Sequence, residues 1–293
     1  MTKQKSKVYK EEDYIVIYQK LLKPEFIYKK YRYDNDFFES FEELESMRER
    51  MIAIQNDDNW PKFTIKPTHI SPLYEPSFYQ REFIVEFPFI DGISLKDYLA
   101  INNLDFKTCI QFISSLEKRI LNEKNKVFLD VANPNNIMLL PDENEYVLID
   151  PDDIQFDKYP SNGCARLLGT RPIFSETNDF SCGIKKCLID DKNVNKQMDI
   201  RSMYALFYYI LHREYFYPSI FEKDKNEYIE DLKKYNVPEG SLLYKNTMFT
   251  LSEDEENKPI SDALYELLDM GYEFERANND NNIHVYKLQN RKK

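Results

Sequence analysis

Apolar positions recur along this chain with two different spacings, and each change of spacing marks an element. Tyr14–Tyr18 (YIVIY) is β-branched and aromatic and predicts a strand. Phe26–Tyr31 predicts another, with Lys29 and Tyr31 on one face and Lys30 on the other. From Asp36 to Ile54 the spacing changes to three and four residues, through Phe37, Phe41, Leu44, Met47 and Met51, which predicts a helix. Phe83–Phe87 returns to strand character. It leads through Pro88 and Asp91-Gly92 into Ser94-Leu95-Lys96-Asp97, a capping-box-like helix start. Asp105–Asn122 predicts an amphipathic helix with one stripe of Phe106, Ile110, Ile113, Leu116 and Ile120. Asp199–Leu211 opens on an N-cap aspartate and is apolar on nearly all sides, so it predicts a central helix. The remainder reads as helical closure, with Ser261 capping a helix that Gly271 ends.

Between the helices predicted at Asp105–Asn122 and Asp199–Leu211 lie two short apolar runs, Ile137–Leu140 and Tyr146–Ile149. The turn formers Pro141-Asp142-Glu143-Asn144-Glu145 separate them. An antiparallel hairpin is the simplest reading. Its two outer ends lie side by side, about 5 Å apart between backbones. That expectation sets Asn136 beside Asp150, with Asp130 a few residues upstream in a loop. An amide oxygen and carboxylates without His or Cys form a hard oxygen donor set, suited to magnesium carrying a phosphate. Asn and Asp are also the natural residues of hairpin ends, so ordinary turn chemistry is the alternative for this trio.

Composition narrows the classes. The 293 residues are 42% hydrophobic and 15% aromatic, enough for one large core or two modest ones. A net charge of −11 argues against a general nucleic-acid binder. The short basic tips (Lys3, Lys5, Lys7, Lys10; Arg291, Lys292, Lys293) read as solvated tails. Four cysteines at no zinc-like spacing and only three histidines read as free thiols in a reducing cytosol, hence a cytoplasmic protein. Residues 1–10 lack the apolar core of a signal peptide, and no run approaches the roughly 18 apolar residues of a membrane span. The acidic run Ser252–Glu256 lacks the glycine and spacing of a calcium loop. Glycine is scarce: six in the chain, none before Gly92.

The order Phe128-Leu129-Asp130, Asn136-Ile137 and Asp150-Pro151-Asp152 resembles the protein kinases, whose signature runs H-R-D-L-x-x-x-N, strand, turn, strand, D-F-G. Asp130 to Asn136 is one residue longer than the family spacing, no His or Arg precedes Asp130, and the third motif lacks Phe and Gly. Leu168–Glu176 resembles the G-T-x-x-Y-x-A-P-E close of an activation segment, and Asp199 the aspartate that braces the catalytic loop. The resemblance implies an α+β, bilobed protein kinase-like fold. A small β-rich lobe with one main helix would span residues 1–90. A mainly helical lobe, carrying the hairpin of 127–153, would span 91–293. It implies ATP and Mg2+ as cofactors. Asp130 would accept a hydroxyl proton, and Asn136 and Asp150 would hold the metal. Lys29 would steady the phosphates, oriented by Glu49 or, alternatively, Glu45. Backbone groups around Val85, Glu86 and Phe87 would meet the adenine. The glycine-rich lid of the family has no counterpart here. The implied activity is transfer of the ATP γ-phosphoryl to a Ser/Thr hydroxyl of a protein substrate, with no nucleic-acid or membrane partner. The alternatives are a pseudokinase acting as a binding module, and a small-molecule kinase or other ATP-dependent transferase.

Overall fold

The computed structural model describes residues 6–12, 14–33, 40–77, 80–140, 145–156, 196–213, 230, 232–245, 258–279 and 282–292. It is a mixed α+β protein with a β-rich N-terminal region, organised in two units.

The first unit takes in the chain up to Gly92 together with Leu140–Asp152. Its strands are β1 (Ser6–Glu11), β2 (Ile15–Lys20), β3 (Lys23–Arg32), β4 (His69–Ile70), β5 (Tyr74–Ser77) and β6 (Gln80–Pro88). They form one antiparallel sheet in the order β1-β2-β3-β6-β4, with β5 also on β6. The period-two alternation that predicts β6 is the one that buries Phe83, Val85 and Phe87. The expected helix is α1 (Phe41–Asn56), which lies against β4 and β6 and buries Leu44, Met47, Met51 and Ile54. Positions 34–39 of its expected start fall outside the described residues.

The later return to this unit was not expected. The domain division anticipated at residues 90 and 91 falls at Gly92 and Ile93, and Leu140–Asp152 belongs with the earlier chain rather than the later. Backbone pairing is the reason. In β10 (Glu145–Leu148), the Leu148 amide donates to Phe63 O at 2.8 Å and its carbonyl accepts from Ile65 N–H at 2.7 Å. This is a short parallel bridge to the segment that follows α1.

The second unit contains β7 (Ile93–Ser94), α2 (Leu95–Ile101), α3 (Phe106–Asn122), β8 (Lys126–Phe128), β9 (Ile137–Leu140), β11 (Ile154–Phe156) and α4 (Lys196–His212). It closes with α5 (Ile260–Asp269), β12 (Tyr272–Asn278) and β13 (His284–Asn290). Ser94 caps α2 as the capping box requires: its Oγ accepts from Asp97 N–H at 3.0 Å and donates to the Asp97 carboxylate at 2.8 Å. Asp105 caps α3, whose predicted apolar stripe is buried. In α4 every residue from Ser202 to His212 is buried, the central position expected of a helix with no polar face.

The helix expected to end at Gly271 is present as α5, with Gly271 at φ 85°, but the chain beyond it does not continue the helical closure. An antiparallel ribbon, β12 on β13, forms there, paired from Tyr272–Asn290 to Asn278–His284. Aromatic packing holds it, with Phe274 stacked on Tyr286 at 4.6 Å and tilted against Phe106 of α3 at 4.8 Å. Among the described residues, no helix is long and apolar enough to cross a membrane. Cys109 is a buried free thiol, and the other three cysteines lie outside the described residues.

Candidate active site

Strand β3 sets the site by its alternation. Lys29 and Tyr31 are two residues apart and share a face, Lys29 opposite Val85 and Tyr31 opposite Phe83 in the register with β6. The Tyr31 and Phe83 rings stack at 4.9 Å, and the Phe87 ring lies 5.8 Å from the Lys29 ammonium. An ammonium only 7% exposed among such groups needs a counter-charge. It has two. Lys29 Nζ lies 2.5 Å from Asp150 Oδ1 and 3.5 Å from Asp152 Oδ1. The Tyr31 hydroxyl donates to the second oxygen of Asp152.

The carboxylates also arrive by a two-residue step. Asp150 follows β10, and Pro151–Asp153 forms a single turn of 3-10 helix that brings Asp152 to the same ammonium. The result is a two-by-two arrangement within the first unit: one strand supplies the ammonium and the hydroxyl, one turn supplies both acids. Asp152 is 9% exposed, and its Oδ1 takes no hydrogen bond, so it meets Lys29 by charge alone. The Asp150 side chain is 31% exposed. Desolvation by the surrounding protein pushes its carboxyl up to about 6; the Lys29 ammonium opposes that shift and the Asp152 charge adds to it. Two acids against one ammonium leave the cluster with spare negative charge. Such a group offers an ammonium for an anionic oxygen and an accessible carboxylate for a hard cation.

In the second unit, β8 runs into a 3-10 turn at Leu129–Ala132 that carries Asp130, then another at Pro134–Asn136, then β9. Asp199, fully buried on the first turn of α4, accepts a hydrogen bond from Phe128 N–H at 2.6 Å. This ties the start of the Asp130 turn to the central helix. Asn136 is 9% exposed, and its N–H donates to Asn133 O at 2.9 Å. Asn136 and Asp150 thus lie in different units, the one before β9 and the other after β10. Among the described residues, no three or more His, Cys, Asp or Glu gather as a metal-binding group.

The expected partner of Lys29 on the helix is not its partner here. Glu45 and Glu49 are both exposed on α1, and among the described residues neither forms an ion pair with Lys29. The buried charge on α1 is Arg50, at 2% exposure. Val85 and Phe87 are buried in β6 and Glu86 half-buried. The Glu86 carbonyl accepts from the Thr68 N–H at 2.8 Å, and the β4 register ends at Glu86, so Phe87 lies beyond it. The segment 168–176, read as the activation-segment close, lies outside the described residues.

Two site residues escaped the sequence reading. Tyr31 shares the Lys29 face, but spacing alone names no partner for its hydroxyl. Asp152 stands at the third position of Asp-Pro-Asp, where the resemblance assigns no role to an acid. The signal was the shared two-residue step, 29 to 31 and 150 to 152, which aligns two donors with two acceptors. No protein-family model matches the chain, and no curated protein matches it either.

Proposed function

We propose that this chain is a divergent kinase-like phosphotransferase with a bilobed protein kinase-like fold, moving the γ-phosphoryl of ATP to a protein Ser/Thr hydroxyl with magnesium. The observation that carries the reading is the 2.5 Å pair between Lys29, on the third strand of the sheet, and Asp150, the acid of Asp-Pro-Asp. A kinase places its phosphate-side lysine on the third strand, and the acid of its third motif takes the metal. Two further features agree: strand β6 leading to a capped α2, and the Asp199 bond to Phe128, the residue that leads into the turn carrying Asp130.

Phosphoryl transfer asks the protein for position and charge neutralisation more than for covalent chemistry. Lys29 would hold a phosphate oxygen, exchanging a carboxylate partner for it. Asp150, with its partly exposed hard oxygens, fits a magnesium ligand, and Asn136 would be the second. Magnesium, when bound, neutralises charge on the phosphates. Asp130 would accept the proton of the attacking hydroxyl, and the backbone around Val85, Glu86 and Phe87 would meet the adenine.

A second reading, a pseudokinase that binds partners without catalysis, is favoured by specific observations. There is no glycine before Gly92 to let backbone amides approach phosphates, and Lys29 is already engaged by two acids. Thermal unfolding with and without Mg-ATP separates the two, beside a γ-phosphate transfer assay on wild type, Asp130→Asn and Asp150→Asn. At about a hundred times the dissociation constant, Mg-ATP should add about 2.7 kcal/mol. Transfer that both substitutions abolish supports the enzyme. Stabilisation without transfer selects the binding module, and transfer to a metabolite selects a small-molecule kinase. Neither stabilisation nor transfer ends the ATP reading.

A further inference from the structure

We propose that Asp152, locked by the Tyr31 hydroxyl, is the positioning carboxylate of Lys29 and does from the 150–152 turn what a glutamate on α1 was expected to do. Its catalytic meaning rests on the phosphotransferase reading above; the pairing itself does not.

Three observations converge on it. First, the buried face of α1 offers Leu44, Met47, Met51, Ile54 and the cation Arg50, while Glu45 and Glu49 point to solvent. A helix with that face supplies no carboxylate to an ammonium, so the counter-charge must come from elsewhere. Second, Asp150 alone cannot both orient Lys29 and serve a metal, because an acid drawn to a cation must loosen its hold on the ammonium. Asp152 is a second acid at the same ammonium, more buried than Asp150, with side-chain exposures of 13% and 31%. Third, Asp152 is itself immobilised. One oxygen is held by Tyr31, whose ring is stacked on Phe83, and the other faces Lys29 at 3.5 Å without a competing hydrogen bond. A carboxylate fixed in this way orients an ammonium rather than following it. The three-residue turn Asp150-Pro151-Asp152 would then divide the labour, Asp150 toward the cation and Asp152 toward the lysine.

The test reads Lys29 directly and needs no nucleotide. Full-length wild type, Asp152→Asn, Asp152→Glu, Tyr31→Phe, Glu45→Gln and Glu49→Gln are treated with an amine-acylating reagent at neutral pH. Modification of Lys29 is followed by peptide mass spectrometry, and each variant's fold is checked by thermal unfolding. Removing the Asp152 charge leaves the ammonium held by Asp150 alone, less fixed in place and more open to the reagent. Labelling of Lys29 should therefore rise roughly tenfold in Asp152→Asn, and about threefold in Tyr31→Phe, where only the hydroxyl is lost. Asp152→Glu should restore slow labelling in part, and both α1 variants should label like wild type. In the transfer assay Asp152→Asn should lower kcat roughly tenfold with little change in KM for Mg-ATP, as loss of orientation does. If Asp152→Asn does not fold, Tyr31→Phe carries the decision. Unchanged labelling in the folded Asp152 and Tyr31 variants, or a rise in Glu49→Gln or Glu45→Gln, would overturn the proposal. Absence of Mg-ATP binding in wild type would instead remove the phosphotransferase reading and leave the labelling result to decide the pairing.

Discussion

Lys29 is the residue on which the first unit's electrostatics turns. Replacing it with Met would keep the stem's volume and strand position while leaving Asp150 and Asp152 facing each other with no cation between them. The expected loss at neutral pH is about 3 kcal/mol, the range for breaking a buried pair by removing one member. The loss should be smaller near pH 5, because Asp150 then takes up a proton and the repulsion disappears. Urea unfolding at the two pH values measures both numbers. Wild type carries a related dependence. The Asp150 carboxyl is raised to about 6 in the folded protein, so the folded state binds its proton more tightly than the unfolded chain does. That contribution is complete below the ordinary carboxylate value near 3.8 and is lost as pH climbs through about 6. Asp150→Asn should therefore flatten the fall in melting temperature between pH 4 and 7. An unflattened curve would mean that Asp150 is not held as described.

At the scale of elements, helix ends show how neighbours override local signals. Ser261 was expected to cap the C-terminal helix. The N-cap position is Pro259, which makes no side-chain cap bond, and Ser261 lies inside α5. The cap comes from α3 instead. Buried Glu117 accepts from Ile260 N–H at 2.6 Å, Ser261 N–H at 3.0 Å and the Ser261 hydroxyl at 2.5 Å. A carboxylate at this position also meets the positive end of the helix dipole. Glu117→Ala should cost about 3 kcal/mol, since the charge-assisted bonds are lost and a buried and a half-buried amide are left without their acceptor. Chemical denaturation checks this, and a loss under about 0.5 kcal/mol would show that water replaces the cap.

Helices with a single apolar stripe, such as α3, were legible in the sequence because spacing alone predicts them. The Ser94 capping box was equally plain. Glu117 was not legible, because it stands within the stripe and its partner is far away in the chain. Strand β1, exposed at all six positions, carries no burial pattern to read. The β12–β13 ribbon was hidden for a related reason: its strands alternate with charged residues, and Phe274 meets Phe106 of α3 and Phe207 of α4, which are far away in the chain.

At the scale of the molecule, the sequence showed a β-rich N-terminal region, but not that the chain comes back to it. That return has a consequence for how the protein is made. During synthesis, the first ninety-two residues leave the ribosome without the strand that pairs with Phe63 and Ile65, and with Lys29 lacking both its acids. A fragment ending at Gly92 should therefore remain expanded and sensitive to proteases. A synthetic peptide of residues 140–152 added in trans should restore protection, whereas the same peptide with both aspartates changed to asparagine should not. The N-terminal unit is in that sense a late product of translation, its sheet formed early but its charges and its 63–65 edge completed only when a distant stretch of chain has been delivered to it.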